Sequence, residues 1–205
     1  MKLLQDSTII VCSIVRNAGK GLKKNIPIID ALCDKAKDYK IVIYENDSTD
    51  NTKKILKKWS NHRGADKIHL LLNDNVMNGK TIPSYGSVTC NPFFSKKRIE
   101  RMVYCRNQYL SYLRKKNWNA DYIIVVDLDV KALYLNGILS SFNSDFEWDA
   151  ITAYGYSRSP SLQRRYHDTY ALIELGKETE SQTELKIKQL SYNTKLLSNN
   201  IQSAR

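Results

Sequence analysis

The segment Ser7–Val15, STIIVCSIV, constrains this chain more than any other feature, because it is almost wholly apolar and β-branched yet only of strand length. A run without polar alternation cannot turn one face to water. It reads as a strand buried on both faces, the environment of a parallel sheet covered by helices. Such a sheet needs crossover connections, and the sequence supplies them. A polar turn, Arg16-Asn17-Ala18-Gly19, follows the run, and Ile26, Ile29, Leu32, Cys33 and Ala36 then recur at helical spacing. Asn25 is the expected N-cap of that helix, with Pro27 tolerated near its start. Lys40–Tyr44 reads as a second strand. The turn and cap formers Glu45–Thr52 then lead into a helix with Ile55, Leu56 and Trp59 on one face, and Lys67–Leu72 gives a third strand. This β-α-β-α-β order at short spacing predicts an α/β, Rossmann-like, doubly wound and mostly parallel sheet with helices on both faces.

Beyond the third strand the pattern loosens. Asn73–Lys97 is loop-like and carries Gly79, Pro83, Gly86 and Pro92. A loop that long inside a compact domain is usually functional or flexible. A helix from Arg98 to Lys115 follows, then a strand Tyr122–Val126, the acidic tripeptide Asp127-Leu128-Asp129 and a short strand at Asp149–Thr152. Glu178–Asn199 reads as a mostly polar helix. The length of 205 residues suits a single domain, and no internal repeat is visible.

Composition excludes several classes. With 42% apolar and 26% charged residues the chain is neither disordered nor collagen-like. It has no apolar run long enough for a transmembrane helix, and the segment after Met1 has no apolar core of a secretory signal, so a cytoplasmic or soluble intracellular location is expected. The four cysteines, Cys12, Cys33, Cys90 and Cys105, show no paired spacing, which favours reduced thiols. His62, His69 and His167 are too scattered for a zinc site. The net charge of +11 suggests an anionic partner. No nucleic-acid module is present, which leaves phosphorylated small molecules and peripheral contact with an anionic membrane surface.

Four groups of residues carry chemistry in this reading. Ligands of open α/β sheets bind at the carboxyl ends of the strands. Asp127 and Asp129 stand there, and paired carboxylates repel each other unless a cation sits between them and a ligand. A hard divalent ion sharing few carboxylates with phosphate oxygens suits them; the alternative is a strand-to-turn boundary capped by Asp. Glu45 lies at the end of the second predicted strand, on the same edge, where a carboxylate can accept hydrogen bonds from a nucleobase or ribose. Ser48 or Asp50 in the same segment serves as a helix cap. Arg106, with Asn107 beside it, interrupts an apolar stripe of Ile99, Met102, Val103, Leu110 and Leu113. A guanidinium on an inward face must be paired or reach a ligand, so Arg106 contacts a donor, bridges to a carboxylate such as Asp127, or snorkels to solvent. A later polar and aromatic cluster, Arg164–Tyr170, offers Asp168 or His167 as a base.

Together these segments resemble glycosyltransferases of the GT-A fold. IVRNAGKGL is similar to their opening motif, ENDSTDNT to the segment usually written DDGSTDNT, and VVDLDV to the DxD strand. RIERMVYCRNQYL, WDAITAYG and YHDTYAL resemble the capsule-associated mannosyltransferase group more closely. The resemblance implies a metal-dependent transfer of a sugar from a nucleotide-diphosphate sugar to a glycan or glycoconjugate acceptor. It implies that Asp127 and Asp129 hold Mn²⁺ or Mg²⁺ on the donor diphosphate, and that Asp127 and Leu128 are among the residues that contact the donor. Val15, Arg16 and Asn17 would line the donor, Glu45 and Asp47 would contact its nucleoside, and Arg106 and Asn107 would approach its phosphates or sugar. Members of the group continue past the polar helix into a further strand and an acidic or His-containing segment. The chain is therefore expected to be one domain of a longer protein, or to carry its base earlier, with Asp168 the candidate. Two other readings stay open: a non-catalytic nucleotide-sugar-binding domain, and a sugar nucleotidyltransferase, for which Gly19-Lys20-Gly21 is a poor phosphate-loop match.

Overall fold

The apolar runs form strands, and the order of those strands explains why they are apolar. A computed structural model of the chain describes residues 2–74, 96–144, 147–152, 156–158, 164–166 and 202–204, with side chains described for 2–74, 100–144 and 147–152. They belong to two compact units, one spanning Lys2–Asn143 and the other starting at Ser144. In the first unit the elements run β1 (Thr8–Val15), α1 (Gly19–Cys33), β2 (Asp38–Asn46), α2 (Thr52–Arg63), β3 (Ile68–Asn73), α3 (Lys96–Lys116), β4 (Tyr122–Val125) and α4 (Leu135–Phe142). The four strands make one parallel sheet in the order β3-β2-β1-β4.

That order reverses once. The chain steps outward from β1 to β3 and then returns to the far side of β1 as β4. Right-handed crossovers therefore place the first two helices on one face and α3 on the other. Strand alternation follows this division. Ile9, Val11, Ile41 and Ile43 pack against Leu22, Ile29, Leu32, Leu56, Trp59 and Phe142 on the α1, α2 and α4 face. Ile10, Cys12 and Val42 meet Tyr109 of α3 on the opposite face. Each such aliphatic side chain contributes roughly 1.5–3 kcal/mol when fully buried. The doubly wound α/β architecture with helices on both faces is present.

Two local expectations are corrected, and one strand differs from its neighbours in burial. Asn25 is not the N-cap of α1 but lies within it, and Pro27 is interior. The helix starts early because neighbouring side chains take its first donors: Ala18 N–H donates to Thr52 Oγ1 at 2.8 Å and Gly19 N–H to Asp50 Oδ2 at 3.0 Å. Pro27 removes one helical bond, but both it and Lys23, one turn earlier, are exposed, so the carbonyl left without a donor lies on the solvent side. On α3 the inward face is Cys105 and Tyr109 with Leu110, Tyr112 and Leu113, whereas Val103 is 52% exposed and Arg106 lies outside the buried stripe. Finally, β4 is buried on one face only. Among the described strands it is the edge of the sheet, and α3 packs over β1 and β2, which leaves Ile123 and Val125 exposed.

Cys12, Cys33 and Cys105 are free and buried. Burial pushes the Cys12 and Cys33 thiols up to about 12, which makes them unreactive core residues. In the second unit β5 (Ala150–Thr152) pairs antiparallel with β8 (Gln202–Ala204), and β6 (Tyr156–Arg158) pairs antiparallel with β7 (Arg164–Tyr166). The strand expected at Asp149–Thr152 is thus formed. The polar helix expected at Glu178–Asn199 and most of the long loop lie outside the described residues. Among the described residues no helix is long and apolar enough to cross a membrane.

Candidate functional site

The switch in strand order falls between β1 and β4, and the carboxyl ends of β1, β2 and β4 open there, where open α/β sheets bind ligands. Register brings the expected residues to this edge. Val15, the last residue of β1, pairs with Glu45 near the end of β2. Just beyond, Asn17 (φ 51°) and Asp47 (φ 52°) adopt the left-handed conformation that Asn and Asp tolerate best after Gly, turning the chain sharply at both strand ends.

The two turns hold each other. Asn17 N–H donates to Ser48 Oγ at 2.9 Å, and Asn17 Oδ1 accepts the Thr49 N–H at 2.9 Å. Asp50 Oδ1 accepts the Thr52 N–H at 2.9 Å, so its carboxylate ties the starts of α1 and α2 together. Burial raises the Asp50 pKa, but the hydrogen bonds from Thr52 and Gly19 outweigh it and hold the carboxyl below its ordinary value. The side-chain oxygen of Asn17 and the carboxylate of Asp50 therefore serve the scaffold.

Glu45 differs. Its side chain is fully buried, and Oε1 accepts the Ser48 N–H at 2.9 Å. Among the described residues Oε2 is buried with no hydrogen-bond partner, and Lys53 Nζ stands 4.0 Å away. Lys53 itself is bound to Asp74. A buried carboxylate oxygen left without a donor is uncommon and calls for an explanation such as a ligand. Asp47 is half-buried and accepts from Asn46 Nδ2 at 3.1 Å.

On the other side of β1, the chain leaves β4 in a turn closed by Val130 N–H donating to Asp127 C=O at 3.4 Å. Leu128 is fully buried in the core, while Asp127 and Asp129 on either side of it are exposed. Arg106 Nη2 stands 3.8 Å from Asp127 Oδ1, with both side chains about half exposed at 46% and 48%. The expected partnership is formed, but from the solvent flank of α3 and without the penalty of a buried guanidinium. Asn107 is exposed beside it. Among the described residues, half-buried Arg16 has no partner at Nε, and Arg101 on α3 has none at Nε and Nη1. Both guanidiniums lower the Cys105 thiol against the larger effect of burial, which raises it. Positive charge thus gathers near the end of β2. Asp168 lies outside the described residues.

Two residues of this edge were not singled out as functional by sequence reasoning. Asn25, in the middle of α1 and fully buried, donates from Nδ2 to the carbonyls of Leu128 at 2.9 Å and Val130 at 2.8 Å. Gly21 lies so close to the same turn that a Cβ there would sit 2.7 Å from Leu128 O and from Asp129 Cα. A signal was present: Leu22, Asn25 and Ile29 share one helical face, so an amide occupies an apolar stripe.

Among the described residues no group of three or more His, Cys, Asp or Glu side chains could hold a metal ion. Asp127 and Asp129 alone form a two-carboxylate set, which fits a cation that takes its remaining ligands from phosphate oxygens and water. Neither a protein-family model nor a curated protein matches the chain. A solved structure does match, that of a mannosyltransferase from Pyrobaculum calidifontis in complex with GDP-Man and Mn²⁺, at 14% identity and a TM-score of 0.38. The match covers 65% of this chain and 31% of that one. The doubly wound α/β fold is carried by the sheet order and the two helical faces.

Proposed function

We propose that the chain is a metal-dependent glycosyltransferase of GT-A type that binds a nucleotide-diphosphate sugar across the carboxyl ends of β1, β2 and β4 and passes the sugar to a glycan or glycoconjugate acceptor. One observation carries the reading. The strand-order switch flanks the end of β1 with the unpartnered buried oxygen of Glu45 on one side and the exposed Asp127 and Asp129 on the other.

Glu45 Oε2 accepts a hydrogen bond from a base N–H or a ribose hydroxyl, which supplies the donor that the described residues do not. Asp47 lies beside it, and the backbone of Val15–Asn17 lines the nucleoside. Asp127 and Asp129 would hold Mn²⁺ or Mg²⁺ together with diphosphate oxygens. When bound, the ion supplies neutralisation of the charge that builds on the departing nucleoside diphosphate. Arg106, half exposed beside Asp127, adds positive charge to the same region, with Asn107 next to it on the helix. Asp168, by its place in the polar cluster of the sequence, accepts the proton of the acceptor hydroxyl.

The test is turnover. UDP-, GDP- and CDP-linked sugars are incubated with the protein, with and without Mn²⁺, and donor hydrolysis is followed with and without acceptor glycans. The reading expects metal-dependent hydrolysis of one donor, lost in Asp127→Ala and Asp129→Ala. Binding without any turnover would favour a nucleotide-sugar-binding module. No binding of any donor would sink the proposal.

A further inference from the structure

We propose that Asn25 is the positioning residue for the Asp127–Asp129 turn: its amide, with the bare backbone of Gly21 beside it, clamps the turn from beneath and sets where the two carboxylates stand. The inference rests on the metal-diphosphate reading of that turn, and adds a residue outside the sequence motif that carries it.

An asparagine on the apolar stripe of a buried helix is unfavourable unless it is hydrogen-bonded, since its amide must leave water. Asn25 is fully buried between Leu22 and Ile29 on that stripe, so packing alone does not account for it. Its Nδ2 donates both hydrogens to one turn, to Leu128 C=O at 2.9 Å and Val130 C=O at 2.8 Å. The orientation of the amide follows. Rotating it by half a turn would set Oδ1 against two carbonyl oxygens, and Oδ1 is instead left buried without a partner.

The other contacts of the turn work in the same direction. Leu128 is anchored in the core, and Gly21 brings helix backbone against Leu128 O and Asp129 Cα where a side chain would clash. The backbone between the two carboxylates is thereby fixed at a carbonyl, a side chain and a van der Waals surface. Asp127 and Asp129 are left exposed on either side of it. Asn25 touches no reacting group. It acts only through the geometry of the pair, as outer-shell hydrogen bonds do for metal ligands.

Two readouts test this on the full chain. Amide hydrogen exchange across residues 127–130 reports the turn directly, and calorimetric titration of Mn²⁺ in the presence of GDP or UDP reports the carboxylate pair. Asn25→Leu, branched at the same atom but without donors, is compared with Asn25→Ala, which guards against a failure of the first to fold. Leu56→Ala, on the buried face of α2, is the stability control. The clamp predicts exchange at the turn faster by roughly tenfold in both Asn25 variants. It also predicts Mn²⁺ affinity lower by roughly 10–100-fold, while Leu56→Ala lowers the Tm and leaves both readouts as in the wild type. Unchanged exchange and affinity in the Asn25 variants would overturn the inference, as would equal effects from Leu56→Ala. A wild-type protein that binds no Mn²⁺ with either nucleotide overturns the reading of the site itself, and exchange at the turn then decides whether the clamp exists.

Discussion

At the residue scale, the most informative atom of the site is Glu45 Oε2, because the two oxygens of one carboxylate have different tasks. Oε1 holds the Ser48 N–H and so shapes the turn, while Oε2 is buried without a hydrogen-bond partner. Variants separate the two. Glu45→Ala removes both and is expected to lower stability by about 1–3 kcal/mol, because the Ser48 N–H loses its acceptor. Glu45→Gln preserves a neutral acceptor for Ser48 and is expected to keep the Tm near that of the wild type. It should nevertheless weaken donor binding by about 1.5–3 kcal/mol, the range for a hydrogen bond to a charged group. Thermal melts read the first effect and donor titration the second. Equal donor affinity in Glu45→Gln would remove Glu45 from the site. Asp50 is the opposite case, a carboxylate used wholly by the scaffold. Its pKa is lowered on folding, so its contribution is complete above the ordinary value of 3.8 and is lost as the pH falls through the lowered folded value. Asp50→Asn is expected to flatten that acid limb of the Tm profile; an unchanged limb would contradict the assignment.

At the scale of elements, the close approach between α1 and the acidic turn is the contact on which the site depends. Gly21→Ala puts a Cβ 2.7 Å from Leu128 O, and both sides of that contact are backbone. Overpacking of this kind typically destabilises by about 1–3 kcal/mol, and Mn²⁺-dependent donor binding should fall with it, measured by melts and titration on the same samples. A Gly21→Ala protein with wild-type Tm and affinity would show that the turn yields freely. The strands themselves were legible in the sequence, since continuous β-branched runs have few alternatives, and β1 and β2 differ from expectation only at their ends. The start of α1 was not legible. Its first donors are taken by Asp50 and Thr52, more than thirty residues downstream by register of the contacts, so no local cap signals it. Asn25 therefore took the place of the missing cap in the sequence reading. On α3, Val103 and Arg106 fit a helical stripe as well as Cys105 and Tyr109 do, and only the position of the sheet decides which face is buried. The exposed face of β4 was hidden for the same reason: YIIV reads alike at the edge and at the centre of a sheet.

At the scale of the whole molecule, the edge of the sheet opposite the acidic turn carries a pH-dependent contribution to stability. His69 on β3 lies against Tyr112 and Trp118, with Nδ1 3.1 Å from the Tyr112 hydroxyl and Nε2 3.1 Å from Asp66 C=O. Burial lowers its pKa, helped by the charges of Lys40 and Lys116 and opposed by Asp66. A lowered folded pKa means that its contribution is present above the ordinary value of 6.5 and is lost as the pH falls from there toward the folded value. A Tm that declines just below 6.5 in the wild type, and does not in His69→Gln, is the expected result; identical profiles would contradict it. The central claim concerns the other edge, where the sheet reverses its order. Calorimetric titration of nucleotide sugars into wild-type protein, Asp127→Ala and Asp129→Ala, each with Mn²⁺ and with chelator, tests it most directly. The account predicts binding of at least one nucleotide sugar that requires Mn²⁺ and weakens in each variant by more than the roughly 10–100-fold typical of losing an outer-shell partner. Binding that is indifferent to Mn²⁺ and to both substitutions, or no binding at all, would contradict it.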